Sequence, residues 1–171
     1  MAAVRMAAAC ACALAGATAA ARAIPIELPA PGSELYAPSG GCYAKVLEDA
    51  RGGMLRARLY ARERLVAELR GAREMAWAGE TLVFALSPGS GRPGIYAWEC
   101  GRASVRRVVR PERASLAHPA GSDVYQLLEI DGDILYYAHA PDVDSPSLEA
   151  DLERGIETLR LASPRPRLSM S

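Results

Sequence analysis

One lysine, one phenylalanine and two histidines stand among 171 residues. Each scarcity excludes something. Two histidines, His118 and His139, with no C-x-x-C pair, leave few ligands for a zinc or iron–sulfur site. No G-x-x-x-x-G-K phosphate loop occurs, and the glycine-rich "GSGRPG" joins two strand-like runs and opens no helix. There is no G-x-S-x-G nucleophile elbow. Twenty basic residues balance twenty acidic ones, which argues against a general nucleic-acid binder. No cofactor is expected. All basic residues but Lys45 are arginine, a bias that fits a GC-rich genome and gives single arginines little functional weight.

The first segment reads as an export signal. Arg5 precedes an apolar run from Met6 to about Thr18, and Ala21-Arg22-Ala23 fits an A-x-A cleavage site. The run falls short of the ~20 residues of a membrane span, so no span is expected after cleavage; a retained anchor is the alternative. This division places a signal peptide at 1–23, an extended Pro/Gly-rich arm at 24–41, an all-β domain at 42–162 and a disordered tail at 163–171. The expected location is secreted or periplasmic.

Cys10 and Cys12 leave with the signal, and Cys42 and Cys100 remain. Two cysteines in an exported chain point to one disulfide; two separate buried thiols are the other reading. Charge is segregated. Residues 44–113 hold 14 basic and 8 acidic side chains, whereas residues 114–162 hold 2 and 10. Such halves attract each other within one fold or between two subunits, so a homodimer is among the expectations; solvated strand faces are the simpler reading.

Short runs rich in aliphatic, aromatic and β-branched residues alternate with "RGG", "SPGSGRPG" and "HPAGSD". This predicts an all-β, antiparallel domain. Separate strands are expected at 65–69 and 74–77, on either side of Gly71. One short helix is expected near 147–154, with Ser145 or Ser147 as cap and Gly155 as stop. "WAGETLVFAL" and "IDGDILYYAH" share a turn glycine, an acidic residue and a dense apolar strand. Both read as hairpins, since glycine supplies the positive φ of a tight turn. The second apolar strand, Ile134 to Ala138, lacks a polar face and is expected to be central and covered on both sides.

The stretch "MAWAGETLVFALSPGSGRPGIYAWECGRASVRRVV" resembles one blade of bacterial TolB-like (PD40/WD40-like) β-propeller repeats, and "EIDGDILYYAHA" resembles the front half of another. The resemblance covers about half of the mature chain. It implies a meander of about three blade-like units, with a compact sandwich or barrel as the alternative. It carries over no catalytic residue. Ala78-Gly79 departs from the usual Asp-Gly, and closure takes four to eight blades, so three units imply pairing of two chains or a different antiparallel fold.

Two chemical arrangements merit a check. Ser115, His118 and Asp123 lie close in sequence, which opens a small secreted hydrolase as a rival. Asp142, Asp144 and Glu153 sit at EF-hand positions, but Pro146 and Ser147 replace a ligand and the turn glycine. A looser acidic site with Asp131 or Asp133, or with His139, stays open. Tyr96 and Trp98 share one strand face. Exposed, they would contact a sugar or a peptide; otherwise they are core. The reading by elimination is an exported, non-catalytic binding or interaction module for a protein or carbohydrate. An assembly subunit is a further alternative.

Overall fold

The computed structural model describes residues 23–48, 54–110 and 122–161. The leader, Ser115, His118 and the tail lie outside these residues. The fold is all-β and antiparallel. Its strands are β1 (Ile24–Pro25), β2 (Glu34–Tyr36), β3 (Cys42–Glu48), β4 (Leu55–Ala61), β5 (Arg64–Ala78), β6 (Thr81–Leu86), β7 (Gly94–Glu99), β8 (Arg106–Val109), β9 (Val124–Asp131), β10 (Ile134–Ala140) and β11 (Ile156–Arg160). One helix, α1 (Leu148–Arg154), precedes β11. Strands β2 to β8 form a seven-stranded meander in sequence order, and a second sheet runs β1-β9-β10-β11. No closed barrel forms among the described residues.

The meander folds back on itself through β5. Its first half pairs with β4 and its second half with β6, with a register shift between Ala72 and Met75. Gly71 sits at this bend with φ +69°. Sequence punctuation predicts two strands here; the chain instead runs as one strand of 15 residues. Glycine bends it without ending it, because the ladder hydrogen bonds pass from one neighbour to the other.

The bend makes three layers. The first is β2, β3, β4 and the start of β5. The second is the end of β5 with β6, β7 and β8. The four-stranded sheet is the third. Val46 and Leu59 of the first layer pack with Leu82, Phe84 and Trp98 of the second. Val83, Ala85 and Ile95 on its other face pack with Tyr125, Leu127, Leu135 and Tyr137 of the third. Every residue of β6 is buried, its even positions facing one core and its odd positions the other. Each large apolar side chain so buried contributes up to about 1.5–3 kcal/mol.

The Cys42–Cys100 disulfide ties the start of β3 to the residue after β7, with Cα atoms 5.7 Å apart. It bridges the first two layers. Trp77 adds a second tie, its indole N–H donating to the Leu35 carbonyl at 3.0 Å.

Two hairpins match their sequence signals. Gly79 (φ +55°) and Gly132 (φ +61°) each open a two-residue turn, followed by Glu80 and Asp133. The arm of residues 24–41 is less simple than expected, because it contributes β1 and β2 to the two sheets. The covering of β10 is also only partial. It lies between β9 and β11, but Ile134 and Tyr136 are half-exposed, while Ala138 is buried and lies in the groove beneath α1. The strand closed on both faces is β6. Ser147 occupies the N-cap of α1 without a side-chain cap bond, and its hydroxyl donates to Asp151.

Candidate functional site

Alternation along a strand sends neighbouring side chains to opposite faces. In β3 it buries Cys42, Ala44 and Val46 and turns Tyr43 and Lys45 outward. In β4 it buries Ala57 and Leu59 and turns Arg56, Arg58 and Tyr60 outward. The outer face of the first layer is therefore a surface of aligned rows.

One row is Tyr36, Tyr43, Tyr60 and Leu65, each in register with the next. The tyrosine rings are 5.2 and 4.8 Å apart, with interplanar angles of 30° and 10°. Tyr43 and Tyr60 are stacked and cover part of each other's faces, and Tyr36 tilts over the other side of Tyr43. Tyr36, on the edge strand, is 55% exposed, and Leu65 at the other end is 48% exposed.

The second row is Glu34, Lys45, Arg58 and Glu68. Lys45 bridges Glu34 at 2.8 Å, and Arg58 bridges Glu68 at 2.7 Å. Hydrogen bonds from Lys45 and Tyr36 hold the Glu34 carboxyl below its ordinary pKa, and the Arg58 guanidinium does the same for Glu68. Arg56 also reaches Glu68 at 3.5 Å, and Arg56 pairs in register with Arg70. Among these two rows and the Arg56–Arg70 pair, four cations face two carboxylates. The Tyr36 hydroxyl donates to Glu34 and the Tyr43 hydroxyl to Glu63.

Tyr96 and Trp98 are not at a surface site. Trp98 is fully buried, and its indole N–H donates to the Arg102 carbonyl at 2.9 Å. Tyr96 stacks on Phe84 at 5.7 Å and carries the Arg107 guanidinium 5.2 Å from its ring centre. Their shared face points into the core between the first two layers. A ligand reaches Tyr96 only at its rim and Trp98 not at all.

The described residues hold one acid–imidazole pair. Asp123, at 5% exposure, lies 3.0 Å from His139 Nε2, and Tyr125 stacks on the imidazole at 4.7 Å. A small cavity of about 110 Å³ adjoins them, lined also by Arg110, Tyr137 and Glu157. The Tyr125 hydroxyl is buried without a partner among the described residues, and burial raises its pKa. A buried carboxylate orienting an imidazole is one part of a hydrolytic site. No serine or cysteine nucleophile among the described residues hydrogen-bonds the imidazole.

The acidic loops stay apart. Asp131 and Asp133 flank the start of β10, and Asp142 and Asp144 follow its end. A seven-residue strand puts roughly 20 Å between them. Asp133 bridges Arg160 at 3.4 Å, and Asp142 accepts the Asp144 backbone N–H at 3.0 Å. No group of three or more His, Cys, Asp or Glu suited to a metal forms among the described residues.

Sequence inspection missed two features. Register counted from the Gly132-Asp133 turn puts Gln126 opposite His139; a bulge between Tyr136 and Tyr137 puts Tyr125 there instead. The tyrosine row was hidden because β2 read as part of an arm. Comparison with known families, characterised proteins and solved structures gives no match to this chain.

Proposed function

We propose that this protein is an exported, non-catalytic binding module that engages a protein partner through the outer face of its first layer. The carrying observation is the open row Tyr36–Tyr43–Tyr60–Leu65 beside a band of arginines. Tyrosine and arginine are enriched at binding interfaces and at their energetic centres. A carbohydrate platform fits less well. Stacking on sugars needs open ring faces, and Tyr43, in the middle of the row, has a neighbouring ring on each side. A disulfide suits an oxidising compartment, and no described helix is long and apolar enough to cross a membrane.

The test is photocrosslinking in the producing cell, with p-benzoylphenylalanine at Tyr60 and, as control, at the exposed Arg106 on the edge strand of the second layer. Crosslinks to one protein from Tyr60 alone are expected. Equal yields from both positions overturn the assignment of the face. The rival hydrolase, read in the sequence from Ser115, His118 and an acid, gains a second candidate imidazole in His139, which Asp123 orients. Stoichiometric labelling by a fluorophosphonate, lost in Ser115→Ala, would replace the binding reading with an enzyme.

A further inference from the structure

We infer that the first layer's outer face docks onto the acidic groove beside α1 of a second copy, so that chains associate head to tail. This rests on the binding reading above and names its partner. Opposite ends of the stack carry opposite unspent charge. On the first layer, Arg56 and Arg58 share the single carboxylate of Glu68, and Arg70 has no ion-pair partner among the described residues. On the third layer, α1 leaves a groove of about 240 Å³ against the sheet. Leu128, Ala138, Leu152 and Ile156 line it, with Glu149 and Glu153 from α1. Neither glutamate has an ion-pair partner among the described residues, and only Arg154 on α1 offsets them, itself bridged to Asp151.

Exposed apolar groups accompany both sets of charges. Leu65 is 48% exposed at the end of the tyrosine row, and Ile156 is 55% exposed at the groove. An isoleucine rimmed by carboxylates matches a leucine and tyrosines rimmed by arginines. The segregation of charge along the sequence thus becomes a segregation between two ends. Three strands of about seven residues and the three-residue β2 give a face of roughly 400 Å². Each head-to-tail contact buries one such face against one groove, at the small end of specific interfaces, so the association expected is weak and salt-dependent. A head-to-tail contact closes into a ring or continues as a chain, according to its rotation.

The turn before Leu65 adds an independent observation. Arg62 and Glu63 hold φ of +47° and +63°, where this two-residue turn favours glycine or asparagine. The left-handed region costs a non-glycine residue about 1–2 kcal/mol. Two long charged side chains are kept there at that cost, beside the exposed Leu65.

The experiment is light scattering after size exclusion on the oxidised mature protein, with Arg70→Glu, Glu153→Arg and their equimolar mixture. Disulfide content and tryptophan fluorescence report that each variant is folded. The wild type is expected to associate, more weakly at high salt. Each single reversal should weaken association at least about tenfold, and the mixture should restore it, since a reversed face then meets a reversed rim. Reversals without effect, or a mixture that stays dissociated, overturn the pairing. A second measurement separates this inference from the reading beneath it. A monomeric wild type whose Leu65→p-benzoylphenylalanine form crosslinks a different protein overturns the second copy as partner and leaves the binding face standing. A monomer that crosslinks nothing overturns both.

Discussion

Replacing Gly71 with alanine should cost far more than the same change at Gly79, although both glycines have positive φ. Gly71 holds φ +69° at the bend of β5, and Gly79 holds φ +55° in an open hairpin turn. The left-handed conformation alone costs alanine about 1 kcal/mol or somewhat more at either site. The surroundings differ. A Cβ at Gly79 meets nothing within 4 Å, whereas one at Gly71 would lie 2.7 Å from Ser87 Oγ and 2.9 Å from Ser90 Cβ. Those serines cannot retreat freely. The Ser87 N–H donates to the Gly71 carbonyl at 2.8 Å, and the Ser90 hydroxyl donates to the Ser87 carbonyl at 2.6 Å. Overpacking of this kind adds about 1–3 kcal/mol. Gly71→Ala should therefore destabilise by about 3 kcal/mol and Gly79→Ala by about 1 kcal/mol. Urea unfolding of the oxidised protein, followed by tryptophan fluorescence, reads both. Equal losses would show that the bend is free to relax, and the account of β5 as a sterically fixed corner would fail.

Joint replacement of Cys42 and Cys100 by serine should remove about 4 kcal/mol, from a closed loop of 58 residues, and separate the first two layers first; hydrogen exchange with faster opening of β3 than of β9 checks it. Glu74 is 6% exposed, with Oε2 unpartnered, and burial raises its pKa although Arg73 lies 3.3 Å away. The folded state then holds a proton that the unfolded state releases above about pH 4.3, so Glu74 costs stability as pH rises. Glu74→Gln should gain on the wild type between pH 4 and pH 8; a constant difference in denaturation midpoint across that range refutes this. Tyr125 and Tyr137 are pushed upward mainly by burial, with Asp123 and Glu157 adding to it. Both should stay protonated in the fold above pH ~10, where the unfolded chain loses those protons. Stability should therefore fall there, and absorbance titration should show two tyrosines ionising only as the chain unfolds.

Local rules succeeded where one stretch of chain decides the outcome. Gly79-Glu80 and Gly132-Asp133 make turns because glycine alone supplies the required φ without strain, and the apolar runs beside them have nowhere to go but a sheet. α1 follows from helix-forming residues between Ser147 and Gly155. Gly71 misled for a related reason. Glycine at positive φ marks a turn when the chain reverses and a corner when it continues, and only the identity of the next partner strand separates the two.

The tyrosine row was illegible for a different reason. Its first strand lies between Pro31 and Pro38, in a segment whose prolines argue for an extended arm. Proline forbids donation from its own nitrogen and leaves the residues between free. Glu34 to Tyr36 use that freedom to pair with Lys45 to Tyr43 at the sheet edge. That pairing brings Tyr36 onto Tyr43, and β4 brings Tyr60 onto Tyr43 from the other side. Three tyrosines spread over 25 positions become one surface because two registers agree, and neither register is written in the residues nearest to any of them. Trp98 shows the converse. Its spacing from Tyr96 fixed a shared face, and the layer folded over that face turned it from surface into core. In a stacked β protein, the sequence period of a strand sorts side chains into two faces, and the bend of a single distant strand decides which face meets water.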